Sequence, residues 1–255
     1  MTKLNQIKEL ISELDNGEGY KIFQFLTDKD FVNIKNIIHT QLIETLKNNI
    51  KNKTKVNRIS KTRLEDYHQL SNLIDHSKFW NKKKRILKVN DVEQVQKMDF
   101  FKKLKNLFGD FFVADEEQLG YPNYYWRLVR PNEINDIGPL HRDEWFWILN
   151  PNWLPKKGLF KRFKVWIPIV TEVGLNGLLI EKSSQLREDI QWVGELRDEI
   201  QKPKLITKSE NLNAELVNIN SKELIIFDDK LLHGGALNKG SLTRVNLEFT
   251  ILKKE

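Results

Sequence analysis

The chain has 255 residues, 40% of them hydrophobic, enough to bury the core of one large domain. Its 42 Lys and Arg against 35 Asp and Glu leave a formal charge of +7, a modest excess with no arginine-rich tract, which favours a small-molecule partner over nucleic acid. The absence of cysteine excludes a disulfide framework, a thiolate metal site and a cysteine nucleophile.

Met1 to Tyr20 mixes Lys, Glu and Asp with isolated aliphatics and offers no apolar core for a secretory signal. Nowhere do about 18 apolar residues run together, so no membrane span is expected and a soluble, cytoplasmic protein is the default. Tyr20 to Leu26 reads as a short strand. Thr27-Asp28-Lys29-Asp30 resembles a capping box, and Phe31, Ile34, Ile37, Ile38 and Leu42 then recur at three- and four-residue steps, as an amphipathic helix requires. Asn81 to Lys105 reads as helix and loop, with lysines at 82–84 and at 102, 103 and 105 on solvated faces rather than in a phosphate patch. Residues 1–120 are thus expected to be mainly helical.

From Tyr121 the pattern changes. Tyr124 to Arg130, Trp145 to Leu149, Phe163 to Val170, Gly177 to Ile180, Leu216 to Ile219, Leu224 to Phe227 and Arg244 to Leu252 are short β-branched and aromatic runs separated by Pro, Gly, Asn and Asp. Such spacing predicts a sandwich or jelly roll over 121–255. The last run alternates cleanly: Val245, Leu247, Phe249 and Ile251 on one face, Arg244, Asn246, Glu248 and Thr250 on the other. One face would pack on the N-terminal helices and the other line a polar cavity. An insertion, Ser184 to Lys208, is expected to carry a helix around Gln185 to Gln201 and to cover the open mouth.

Two of the five histidines stand beside strand-like sequence. His141 and Asp143 are one residue apart, so on a strand or extended turn both project to the same side while Arg142 points away. His233 follows the run Leu224 to Phe227 and precedes Gly234-Gly235, where a sharp turn is expected at the strand exit. Two imidazoles and one carboxylate match the facial triad of non-heme Fe(II) enzymes. Arg244, eleven positions after His233, supplies a planar fork suited to a carboxylate. The alternative is a buried histidine at 141, with Asp143 in a salt bridge to Arg142 or Arg130. His39, His68 and His76 lie in the helical part and read as ordinary surface or core residues. Trp145, Phe146, Trp147 and Trp166 either line the cavity or belong to the core. By the period of two only one of Arg127 and Arg130 faces the site, to meet either an anionic ligand or an acidic side chain.

The strings Tyr125-Trp126-Arg127-Leu128-Val129-Arg130-Pro131 and Gly138-Pro139-Leu140-His141-Arg142-Asp143, then Val165 to Val170, Asn176-Gly177 and Leu224 to Gly235 with Asn238 and Arg244, resemble the phytanoyl-CoA dioxygenase-like group of Fe(II)/2-oxoglutarate oxygenases. The resemblance extends weakly to Gly19 to Ile22 and Phe25 to Asp28, and so covers most of the chain. It implies an α+β fold, a single domain over 1–255 whose core is a double-stranded β-helix (a cupin-like jelly roll) flanked by N-terminal helices. It further implies His141, Asp143 and His233 as iron ligands and Arg244 as the 2-oxoglutarate anchor. Arg127 and Trp166 are further candidates for the 2-oxoglutarate pocket. Where the group often has Arg-x-Ser, this chain has Arg244-Val245-Asn246, and an asparagine amide donates the same hydrogen bond. Where Pro-Gly-Ser-His is frequent, it has Lys182-Ser183-Ser184-Gln185, so the mouth is remodelled.

Halogenating members of the group carry a small residue in place of this carboxylate, so with Asp143 the resemblance implies hydroxylation, desaturation or ring formation. The expected activity is therefore hydroxylation of a C–H bond of a small, anionic or neutral metabolite, with 2-oxoglutarate converted to succinate and CO2. Two other readings are a cupin-like binder of a metal or ligand without turnover, which leaves Arg244 and Asn246 without a purpose, and an oxygenase acting on nucleic acid, which needs a basic stripe with exposed aromatics.

Overall fold

Asp30 ties the helical half together. In the computed structural model, which describes residues 3–50, 52–71, 73–76, 82–151, 159–197 and 200–254, the capping box forms as its sequence indicates. Thr27 accepts from the Asp30 amide and Asp30 from the Thr27 amide at the start of α2 (Asp28–Asn49). The same buried carboxylate accepts the Asp99 and Phe100 amides, each at 3.1 Å, at the start of a later helix, Asp99–Phe108. One side chain thus satisfies orphan donors of two helices and fixes them to each other.

The other elements of this half are α1 (Lys3–Asn16), β1 (Tyr20–Phe23), α3 (Lys53–Lys61) and α4 (Val89–Gln96), with Asp99–Phe108 as α5. Asn81, the start of the expected helix-and-loop stretch, lies outside the described residues. Leu10, Leu14, Ile34, Ile38, Leu42, Val95, Phe100, Leu104 and Phe108 form one apolar cluster with the outer face of the main sheet.

That sheet runs β1-β9-β4-β11-β2, all neighbours antiparallel, with β4 at Phe160–Val170, β9 at Leu224–Asp228, β11 at Arg244–Lys254 and β2 at Phe112–Val113. The free edge of β11 is shared: β3 (Tyr125–Val129) pairs with Arg244 to Glu248 and β2 with Ile251 and Leu252. The expected alternation holds in several strands at once. Val245, Leu247, Phe249, Ile251, Phe163, Val165, Ile167, Trp126 and Leu128 pack on the helices. Arg244, Asn246, Glu248, Thr250, Lys164, Trp166 and Arg127 take the opposite face. Register slips by one residue between Val245 and Asn246, opposite Pro168, whose missing N–H could not serve the ladder.

A smaller antiparallel sheet, β10-β5-β8, consists of His233–Gly235, Leu178–Ile180 and Glu215–Leu216. Leu178 and Ile180 meet Trp166, Ile225 and Phe227 of the main sheet. The space between the sheets is therefore apolar at one end and charged at the other.

Two expected elements differ. Trp145 to Leu149 belongs to a helix, α6 (Asp143–Leu149), not a strand: acidic residues fill its first turn, where the helix dipole favours them, and Trp145 and Trp147 are buried in two separate apolar clusters. The insertion holds an antiparallel hairpin, β6 (Trp192–Arg197) and β7 (Ile200–Leu205), where a helix was expected; residues 198 and 199 lie outside the described residues. Gly194 lets this hairpin rest on α6, since a Cβ there would stand 2.7 Å from the Leu149 side chain. Trp192 stacks on Trp145 at 5.1 Å.

Candidate metal centre

His141 and His233 are joined through their backbones. Each donates its amide to the other's carbonyl, at 2.8 and 2.9 Å, so two segments 92 positions apart form an isolated antiparallel bridge. Their imidazoles consequently sit side by side, with centroids 4.5 Å apart. His233 opens β10 rather than leaving a strand, and Gly234 is a point of close approach rather than the expected turn. A Cβ at Gly234 would come within 3.2 Å of the Leu140 backbone.

Both imidazoles have a fixed tautomer. His141 Nδ1 lies 2.9 Å from the Pro139 carbonyl and His233 Nδ1 2.8 Å from that of Leu231. A carbonyl oxygen only accepts, so Nδ1 carries the hydrogen in each ring and Nε2 presents a lone pair. Asp143, the first residue of α6, turns Oδ1 toward both: 3.5 Å from His141 Nε2 and 3.8 Å from His233 Nε2. One ligand atom from each of the three lies within 4.8 Å of the others. The helix start is pinned on both sides, by the Arg142 guanidinium on the Ser184 and Arg187 carbonyls and by the Glu144 amide on the Asp229 carbonyl.

Electrostatics hold these groups in the forms that bind a cation. Burial opposes ionisation of Asp143, but Lys164, His233 and His141 outweigh it and keep the carboxyl well below its usual range. Burial, reinforced by His141, lowers His233 to about 4, so its ring is neutral near pH 7.

Lys164 was not anticipated. Its ammonium lies 3.2 Å from Asp143 Oδ2 and 3.1 Å from Thr250 Oγ1, whose hydroxyl donates to Glu116 at 2.6 Å. Burial disfavours its charge, yet Asp143, Glu116 and Glu248 raise its pKa. The one sequence signal is a lysine on the inward parity of a strand whose odd positions from Phe163 to Ile169 are apolar.

Arg244 is 3% exposed, donates to the Gly177 carbonyl and lies 6.0 Å from the Trp166 ring. Gly177, at φ +144, adopts a backbone conformation that favours glycine. Arg244 has no ion pair among the described residues and its Nε has no partner; burial lowers its pKa to about 10. Asn246 is fully buried and donates from Nδ2 to Glu248 at 3.0 Å. Arg127 faces the same cavity and donates from Nε to the other oxygen of Glu248 at 2.7 Å. Arg130 instead makes a two-pronged pair with Asp136, both bonds at 2.8 Å. The ion pair considered for Asp143 with Arg142 or Arg130 does not form.

Among the four aromatics, Phe146 meets a triad imidazole, edge-on to His141 at 5.5 Å. Trp145, Trp147 and Trp166 are buried, and Trp166 forms part of the apolar end beneath Arg244. His39, His68 and His76 hydrogen-bond to Thr62, Thr243 and Tyr67.

No protein-family model and no curated protein matches the chain. Solved structures do share its fold. The non-heme alpha ketoglutarate dependent carbocyclase SnoK from nogalamycin biosynthesis aligns with a TM-score of 0.54 at 12% identity, over 99% of this chain and 86% of its own. AviO1 from Streptomyces viridochromogenes gives 0.53 at 11%, over 98% and 95%. The epimerase SnoN, in complex with Fe3+, alpha ketoglutarate and nogalamycin RO, gives 0.51 at 11%, over 98% and 84%. At these identities the likeness is one of fold: a mixed helix and antiparallel-sheet architecture shared with these structures. Among the described residues no helix is long and apolar enough to cross a membrane.

Proposed function

We propose that the chain is an Fe(II)- and 2-oxoglutarate-dependent oxygenase that hydroxylates a C–H bond of a small molecule, its two facing sheets forming a double-stranded β-helix within one domain. The observation that carries this reading is the convergence of His141 Nε2, His233 Nε2 and Asp143 Oδ1, each with its other polar atom already engaged. Two nitrogens and one oxygen fit Fe(II), and three ligands on one side leave the other side for a co-substrate and a reactant. Bound there with 2-oxoglutarate, the metal supplies oxidative decarboxylation to succinate and CO2 coupled to oxygen insertion into a C–H bond.

The remaining work falls to the chain. Arg244 suits the distal carboxylate of 2-oxoglutarate, because a buried guanidinium without an ion pair among the described residues is stabilised by an anion that brings its own charge and geometry. Asn246 uses one amide hydrogen on Glu248 and retains the other for the same carboxylate. Trp166 forms the apolar wall behind them, and Arg127, anchored on Glu248, reaches the metal-proximal end. Lys164 holds Asp143 Oδ2 and so leaves Oδ1 for the metal. Binding the co-substrate between the two sheets would position it and limit access of water.

Stoichiometric assay provides the test. Iron(II), 2-oxoglutarate and oxygen are expected to yield succinate with the wild-type chain and none with Asp143→Ala; succinate from both at the same rate would overturn the assignment.

A further inference from the structure

Against β3 lies a cavity of about 490 Å³, lined by Asp75, His76, Arg85, Arg127, Arg130 and Asp136 among others. Its volume is that of a small-molecule site. The three arginines in its wall are not equivalent. Arg127 is bonded to Glu248 and Arg130 to Asp136. Arg85 has no ion pair among the described residues, and its Nε is sealed from solvent with no hydrogen-bond partner. The carboxylates that act on it, Glu248 and Asp136, are those already held by the other two arginines. Burial first, and Arg127 second, push the Arg85 guanidinium down to about 10.

The backbone places Arg85 there. The turn Lys82–Arg85 is laid against β3 by the Ile86–Tyr125 bridge and by the Leu87 amide on the Tyr124 carbonyl at 2.9 Å. Gln41 clamps the Ile86 carbonyl from α2 at 2.6 Å. The cavity also adjoins the candidate metal centre. Arg127 belongs to both, and Gly138 in its wall precedes His141 by three residues. Ile137, also in the wall, would stand 3.6 Å from a Cβ on Gly235, two residues beyond His233.

We propose that this cavity binds the reactant of the enzyme, a small molecule bearing an oxyanion, and that Arg85 receives that anionic group. A half-buried guanidinium without a partner is stabilised by a ligand that brings the missing negative charge, and its fork matches carboxylate and phosphate oxygens alike. Arg127 is close enough to act electrostatically on Arg85 and to feel Asp143, which puts the triad within reach of a ligand anchored at Arg85. The substrate class deepens the oxygenase reading and its catalytic meaning rests on it. The anion site stands on the cavity alone.

Calorimetric titration of inorganic phosphate and of acetate into the full chain tests the site, with Arg85→Gln and Arg85→Lys in parallel. At least one anion is expected to bind wild type with a Kd of about 1 mM or tighter, about tenfold or more weakly to Arg85→Gln, and with partial recovery in Arg85→Lys. Tighter phosphate identifies a phosphate-bearing reactant, and tighter acetate a carboxylate. Failure of wild type to bind either, or equal binding by Arg85→Gln, would overturn the proposal. So would a parallel loss of 2-oxoglutarate affinity in anaerobic iron-loaded Arg85→Gln, which would place Arg85 in the co-substrate pocket. Absence of 2-oxoglutarate binding by wild type would instead sink the oxygenase reading and leave the anion result intact.

Discussion

The Lys164 ammonium lies 3.2 Å from Asp143 Oδ2, while Oδ1 of the same carboxylate faces His141 and His233 at 3.5 and 3.8 Å. Lysine thus supplies a counter-charge on one side of Asp143, and the side facing the imidazoles remains for a cation. The lysine both stabilises the metal-free protein and repels an incoming divalent ion.

These two effects separate in Lys164→Met. Removing one partner of a buried pair costs about 3–5 kcal/mol, so the metal-free variant is expected to melt well below wild type. Adding a divalent metal supplies the missing positive charge, and the metal-induced rise in Tm is expected to be larger in the variant than in wild type. A smaller rise would mean that Lys164 supports metal binding instead.

Arg244→Lys keeps the charge and loses the fork. Charge-assisted hydrogen bonds are worth about 1.5–3 kcal/mol, so 2-oxoglutarate affinity is expected to fall about 10- to 100-fold while metal affinity stays within a few-fold. Parallel titrations of metal and co-substrate check this, and unchanged 2-oxoglutarate affinity would remove Arg244 from the pocket.

Asp30→Ala should unfold the chain more easily without touching the site. The side chain accepts the Thr27 amide at the start of α2 and the Asp99 and Phe100 amides at the start of α5, and each of the two caps is worth about 1 kcal/mol, so a loss of about 2 kcal/mol in denaturant unfolding is expected. Metal affinity at temperatures where the variant is folded should not change.

His76 gives the fold an acid-side sensitivity. Burial lowers its pKa from 6.5 to about 4, against the opposing pull of Asp136. The unfolded chain therefore takes up a proton on this residue that the folded chain refuses. Its contribution is fully present above pH 6.5, declines between 6.5 and 4, and levels off below, with a total of at most roughly 3 kcal/mol. Stability profiles of wild type and His76→Gln should diverge in slope only within that window; parallel profiles would show that His76 titrates normally when folded.

The face of β11 and the candidate cluster of His141, Asp143 and His233 were legible because their patterns are local. Arg244 to Ile251 alternates strictly, and His141 and His233 sit beside strand-like runs. Asp143 was identified although its carrier was misread: the aromatics of Asp143–Leu149 have strand propensity, and the acidic first turn that starts a helix was outweighed. Gln185 to Gln201 has the Glu, Leu, Arg and Gln of a helix, but Gly194 and the Trp192–Trp145 stack favour a hairpin resting on α6. Lys164, Glu116 and Arg85 escaped notice because their meaning lies in partners far along the chain. A lysine in Phe160–Val170 becomes informative only when Asp143 and Thr250 are brought against it.

The most direct test uses iron(II) and 2-oxoglutarate without oxygen. A visible metal-to-ligand charge-transfer absorption is expected from wild type and from neither His141→Ala nor His233→Ala, and admission of oxygen should discharge it with formation of succinate. A His141→Ala protein that retains the absorption and makes succinate in full would contradict the assignment of the three side chains to one metal ion.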